Sequence, residues 1–228
     1  MNEDLRDGHD VNDQLRDKYD RIAASYTSRY ADPDAVARFY VKLVATWGPP
    51  TGRGSTVLEL GCADGFMTEA LVRAGFRVTA LDLSPGMIEA ARRRLAGVGG
   101  VDLEVADVRT FDPRGRTWDV VLGAMWTFFA YVDDPIEVLA RLRPSTGTKL
   151  IVDRNPRTHP LEGVDSMFNG AGFAPPSIRP VTVPLGRRST PLVRAAGRAV
   201  AGAEPLWKLL VRRKLNVAVL SVPGEGPR

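Results

Sequence analysis

Val57-Leu58-Glu59-Leu60-Gly61-Cys62-Ala63-Asp64-Gly65-Phe66 is the stretch that decides how this chain folds. The run Thr56–Leu60 is short, largely apolar and closed by glycine, the pattern of a strand buried on both faces of a parallel sheet. Gly61 and Gly65 give the backbone freedom that a tight turn needs. Helical periodicity then takes over and covers 66–74. Such a turn can do no more than relieve backbone strain, or it can hold a pyrophosphate, or it can serve another ligand. The pyrophosphate pattern G-x-G-x-x-G fails at two of its three glycines, because position 63 is Ala and position 66 is Phe. Glu59, an acid just before the turn, also suits a phosphate poorly.

Downstream, strand patterns at 76–81, 101–105, 118–122 and 149–152 alternate with helical patterns at 85–95 and 134–142. Ser84-Pro85 supplies an N-cap and a first-turn proline for one of these helices. Strands separated by helices imply right-handed βαβ units and a doubly wound, mostly parallel sheet in an α/β fold. A helix at 161–169, a strand at 177–183, basic helices within 192–210 and a last strand at 215–222 complete the expectation. The sheet is therefore expected to be seven-stranded and Rossmann-like, with a basic helical insertion (188–212) before the last strand. Upstream, a helix is expected over 11–30, with Leu15, Tyr19, Ile22, Ala23 and Tyr26 on one face. A second helix begins at Pro33, and Gly48-Pro49-Pro50-Thr51-Gly52 is a loop. Segments 1–50 and 51–228 are expected to form one domain.

At 228 residues, 44% hydrophobic and 25% charged, the chain can bury a sizeable core and is not disordered. Its longest nearly uncharged apolar run, 120–132, has 13 residues and is too short to span a bilayer. The polar, acidic N-terminus lacks an apolar signal region, so a cytoplasmic location is expected. One cysteine and two histidines exclude a disulfide framework and argue against a Cys- or His-rich metal centre. The net charge of +4 is concentrated at one end, since 170–228 carries 10 basic against 2 acidic residues. That asymmetry implies one electropositive surface rather than a generally basic protein.

Asp82 ends the second strand, where a carboxylate can accept both hydroxyls of a ribose beyond the carboxyl end of the sheet. Together with the non-phosphate turn it points to a nucleoside ligand whose other end is not a phosphate. Glu59-x-Gly61-x-Ala63-x-Gly65, then Leu81-Asp82-Leu83-Ser84-Pro85-x-Met87, then Val105-Ala106-Asp107-Val108 occur in that order across 55–153. This ordered set resembles the class I S-adenosylmethionine-dependent methyltransferases, in particular their small-molecule branch. The resemblance implies S-adenosyl-L-methionine as cofactor. It brings the backbone of Gly61 and Ala63 to the methionine moiety, with Glu59 orienting the cofactor. It puts Asp82 on the ribose diol, Leu83 and Met87 on either side of adenine, and Asp107 against the adenine amino group. Cys62, Gly65, Val108 and Gly123 complete the cofactor-side set. Ala63 departs from the family's usual glycine. Tyr19-Asp20-x-x-Ala23-x-x-Tyr26 resembles the segment that caps the cofactor in this branch, which makes Tyr19 and Tyr26 part of an N-terminal lid over 1–50.

Methyl transfer asks the protein mainly for proximity, alignment and exclusion of water. A base is needed only where the acceptor must lose a proton, as a hydroxyl does. His159, on the loop after the fifth strand, is the candidate base, with Asp153 and Arg154 as secondary polar groups and His9 a weaker alternative. Trp126, just past the fourth strand, is the candidate wall of the acceptor pocket, whereas Phe128 and Phe129 read as core. An Asn/Asp-Pro-Pro-Tyr motif after that strand would resemble nucleic-acid amino methyltransferases, and it is absent. The acceptor is thus expected to be a small molecule, such as a secondary metabolite or lipid-like intermediate. No nucleic acid is expected as partner, because stacking aromatics and recognition modules are missing. The basic C-terminal quarter suits an anionic lipid or an acidic carrier protein. Two other activities fit the same cofactor motifs: a non-methylation reaction such as a cyclisation, and a non-catalytic binding module.

Overall fold

A computed structural model describes residues 8–47, 54–125, 128, 131–154, 162–181 and 216–221. Helices α1 (Gly8–Ile22) and α2 (Pro33–Trp47) precede strand β1 (Thr56–Leu60). Then follow α3 (Phe66–Arg73), β2 (Arg77–Asp82), α4 (Pro85–Arg94), β3 (Val101–Val105), β4 (Trp118–Gly123), α5 (Pro135–Leu142) and β5 (Thr146–Arg154). Helix α6 (Val164–Gly170), β6 (Ser177–Val181) and β7 (Asn216–Ser221) complete the described elements.

The expected mostly parallel, doubly wound sheet forms, with strand order β3-β2-β1-β4-β5-β7-β6. Strands β1 to β5 pair in parallel, and β7 lies antiparallel to both β5 and β6. Alternation along each strand divides the core into two layers. Val57, Val78, Val120 and Ile151 pack with α2 and α3 on one face. Leu58, Leu81, Val121 and Leu150 pack with α5 and α6 on the other. Local chemistry starts the helices where the sequence says they should start. The Ser84 hydroxyl accepts from the Met87 N–H at 2.9 Å at the head of α4, and Asp134 accepts from the Glu137 N–H at 3.1 Å at the head of α5. Among the described residues no helix is long and apolar enough to cross a membrane.

The helix expected over 11–30 ends at Ile22 and continues as two 3-10 turns, Ala23–Ser25 and Thr27–Arg29. Ser25 and Ser28 bond back to the carbonyls of Ile22 and Ser25, and the Thr27 N–H leaves the helical ladder for the Asp64 carboxylate at 3.2 Å. These short-range bonds compete with the α-helical ladder. Helix α6 starts later than expected, at Val164 behind a left-handed Gly163. The basic helices expected within 192–210 lie outside the described residues.

Candidate active site

Strand order reverses between β1 and β4, the topological switch point at which sheets of this kind bind ligands. A cleft opens there, beyond the carboxyl ends of β1, β2 and β3. Among its walls are Tyr19, Tyr26, Gly61, Ala63, Asp82, Leu83, Asp107 and Val108, eight of the residues singled out from sequence.

The floor is the turn after β1. The N–H groups of Gly61 and Cys62 both donate to the Leu81 carbonyl at 2.8 Å, tying the turn to β2. Asp82 receives the Ala63 N–H on one oxygen at 2.8 Å and the Ser84 N–H on the other at 2.9 Å. Each oxygen keeps a further lone pair for a ligand. Burial pushes the Asp82 carboxyl up, the two N–H donors oppose that, and the nearby Asp20 charge adds to it. Ala63 itself sits at φ 50, in the left-handed region that disfavours any residue with a Cβ. Its methyl packs with Ala23 and Met87, which offsets part of that strain.

Five of the cofactor-side candidates support the cleft from behind rather than line it. Met87 is fully buried under the turn, packed with Ala23 and Ala63. Cys62 is buried and contacts the Ala63 carbonyl at 3.6 Å, and burial raises its thiol, so it is a turn residue rather than a nucleophile. A Cβ on Gly123 would sit 3.0 Å from Val152 Cγ1 and 3.2 Å from Phe128 Cβ. Gly65 takes φ 78, and a Cβ there would lie 2.9 Å from the Cβ of Ala91 in α4. Gly65→Ala therefore combines a left-handed penalty with overpacking and is expected to destabilise by about 3 kcal/mol. Denaturant melts read this directly, and a loss below about 0.5 kcal/mol would contradict it.

Glu59 is buried beneath α3, where it accepts from the Thr68 hydroxyl at 2.7 Å. Burial pushes its carboxyl up to about 8, the Thr68 bond opposes the shift and Asp82 adds to it. An acid raised in the folded state stays protonated there while the unfolded chain ionises. Stability is therefore lost as pH rises from the ordinary Glu range towards about 8. Glu59→Gln should raise the melting temperature over wild type at pH about 8.5 but not at pH about 4. An equal effect at both values would contradict this account of Glu59.

The roof comes from α1 and the turns after it. The Asp20 carboxylate accepts the Ser84 hydroxyl and the Gly86 N–H, the latter at 2.8 Å, so α1 docks on the head of α4. Gly86 permits this approach, because a Cβ there would lie 2.8 Å from Asp20 Oδ1. On the other side, Thr27 bonds Asp64 through its N–H and hydroxyl, and Arg94 joins both, at 3.0 Å to Asp64 Oδ2 and 2.8 Å to Thr27 Oγ1. Tyr19 and Tyr26 thus cover the turn, and Tyr19 shares a hydroxyl–hydroxyl bond with Tyr131 across the cleft.

Tyr131 and Arg109 also line the cleft, and neither was picked out from sequence. Tyr131 closes an aromatic run that reads as core, and Arg109 sits in a loop with no periodicity to mark it. Asp153, a secondary candidate, is buried at the end of β5 and accepts from the Tyr40 hydroxyl, whose oxygen in turn accepts the Met125 N–H at 3.0 Å. Trp126 and His159 lie outside the described residues, as does the side chain of His9. Among the described residues no three His, Cys, Asp or Glu come together as a metal site.

Residues 57–145 match the Methyltransferase domain family. The ubiquinone biosynthesis O-methyltransferase of Xanthomonas campestris pv. campestris is 46% identical over 122 residues, covering 50% of each chain. The chain spans only about a third to a half of the length of the first curated relatives it matches. Magnesium protoporphyrin IX methyltransferase of Synechocystis PCC 6803, solved with bound S-adenosylmethionine, superposes with TM-score 0.62 at 17% identity, over 98% of this chain and 100% of that one. The cyclase SpnF superposes with TM-score 0.66 at 15% identity, over 94% and 97% of the two chains. Over 57–145, the strand–turn–helix core, the chain thus matches the Methyltransferase domain family, and its sheet shares the fold of these solved proteins.

Proposed function

We propose that this protein transfers a methyl group from S-adenosyl-L-methionine to a small-molecule acceptor, a secondary metabolite or lipid-like intermediate. The observation that carries this is the Asp82 carboxylate. It is fixed by the N–H groups of Ala63 and Ser84 at the end of β2, with both oxygens still able to accept from a ribose diol. The cofactor supplies an electrophilic methyl group, and the rest is positioning. Gly61 and Ala63 bring bare backbone to the methionine end. Leu83, Met87, Asp107 and Val108 form the adenine end, and Tyr19 and Tyr26 exclude water from above. Glu59 helps orient the cofactor from beneath the turn, and Cys62, Gly65 and Gly123 keep the floor in shape.

The N-terminal helices act as the lid, segments 1–50 and 51–228 work as one cytoplasmic domain, and β6 and β7 complete a seven-stranded sheet. The docking of Asp20 on Ser84 and Gly86 supports the lid assignment. Trp126 walls the acceptor pocket and His159 accepts a proton where the acceptor is a hydroxyl. The basic insertion at 188–212 faces an anionic lipid or an acidic carrier protein, and nucleic acid is not a partner.

Methyl-labelled cofactor incubated with the full chain and a panel of phenols, amines and carboxylic acids should pass label to one chemical class. S-adenosylhomocysteine should appear in equal amount. The likeness to the cyclase SpnF favours one second reading, a reaction on the same fold without methylation. Turnover of an added substrate with no S-adenosylhomocysteine formed would overturn methyl transfer in favour of that reading.

A further inference from the structure

We infer that Arg109 is a specificity-setting positioning residue. By clamping the Asp107 carboxylate as a fixed, acceptor-only group in the cleft wall, it selects nucleosides whose base carries an exocyclic amino group over those with a carbonyl in its place. This rests on the reading that the cleft takes an adenosyl cofactor.

The clamp is unusually complete for two residues so close in sequence. Arg109 Nε donates to both Asp107 oxygens at 2.9 and 3.1 Å, Nη2 donates to Oδ2 at 2.6 Å, and the Arg109 backbone N–H donates to Oδ1 at 2.9 Å. Three N–H groups of one residue thus occupy most of the roughly four lone-pair positions of a carboxylate. The residual acceptor capacity sits on a group that cannot rotate. Arg109 is itself anchored, because its carbonyl accepts from Nη2 of Arg141 in α5. Asp107 and Arg109 are each about one-fifth exposed and both line the cleft beside Val108.

The consequence is chemical. An ionised carboxylate only accepts, so it rewards an amino donor and leaves a carbonyl unpaired against it. A protonated carboxyl can donate as well and would tolerate either group. Burial alone pushes the Asp107 carboxyl towards protonation, and the Arg109 bonds and charge, helped by Arg141, reverse that and hold it below the ordinary range. Without Arg109 the carboxyl loses the three N–H donors that fix its orientation and is free to turn. The loss should therefore appear as lost discrimination, not only as lost affinity.

The test is calorimetric titration of the full chain with S-adenosylhomocysteine and with its 6-oxo analogue, S-inosylhomocysteine. Wild type should prefer the amino compound by about 10- to 100-fold, the range of a hydrogen bond to a charged group. Arg109→Ala should bring the two affinities to within a few-fold of each other. Arg109→Lys, which keeps a charge but not the fork, should fall between and carries the test alone if the alanine variant does not fold. A variant that weakens both compounds by the same factor, leaving their ratio at the wild-type value, would overturn the inference. Wild type that binds neither compound would instead overturn the cofactor reading beneath it.

Discussion

Asp82→Ala is expected to weaken S-adenosylmethionine and S-adenosylhomocysteine binding by at least about 100-fold. Two hydrogen bonds to a charged acceptor are lost at once, each worth about 1.5–3 kcal/mol. The damage extends into the turn, since the Ala63 and Ser84 N–H groups lose their partner and the left-handed Ala63 loses the bond that helps hold it. Asp82→Asn keeps one acceptor oxygen and should fall between wild type and the alanine variant. Because burial disfavours the Asp82 charge, neither substitution should unfold the chain, and a thermal melt of each variant verifies that. Unchanged affinity in a folded Asp82→Ala would remove this residue from the cofactor site.

His159→Ala is expected to lower turnover of a hydroxyl acceptor by about 100- to 10,000-fold, the usual contribution of a positioned base. Cofactor affinity should change little, because Asp82 ends β2 and Asp107 stands on the loop after β3, whereas His159 follows β5 in sequence. Trp126→Ala should act differently, raising the acceptor KM more than it lowers kcat, because an aromatic wall contributes surface and orientation rather than a proton. A His159→Ala enzyme with full turnover below pH about 7 would show that the acceptor needs no base or that another group supplies it.

What could be read from sequence and what could not divides along physical lines. Thr56–Leu60, the turn to Gly65, Asp82 at the end of β2 and the Ser84 and Asp134 caps are all local in the chain. Their signals are periodicity, glycine placement and capping chemistry, which a sequence carries explicitly. The contacts that close the cleft are of another kind. Tyr19 meets Tyr131 across 112 residues and Tyr40 meets Asp153 across 113, so only the completed topology brings them together. The break after Ile22 was hidden for a similar reason, since Asp64, which draws the Thr27 N–H out of the helix, lies 37 residues away. The Arg109 clamp is local but sits in a loop, where no repeat distinguishes a paired arginine from a solvated one.

Hydrogen exchange of the full chain with and without S-adenosylhomocysteine tests the central claim most directly, since it reports both binding and its location. The account predicts added protection in peptides covering 61–65, 82–86 and 106–110, together with the α1 segment that carries Tyr19, and loss of that protection in Asp82→Ala. Saturating ligand that leaves these segments exchanging at their free rates, or that protects only segments away from the carboxyl ends of β1, β2 and β3, would contradict it.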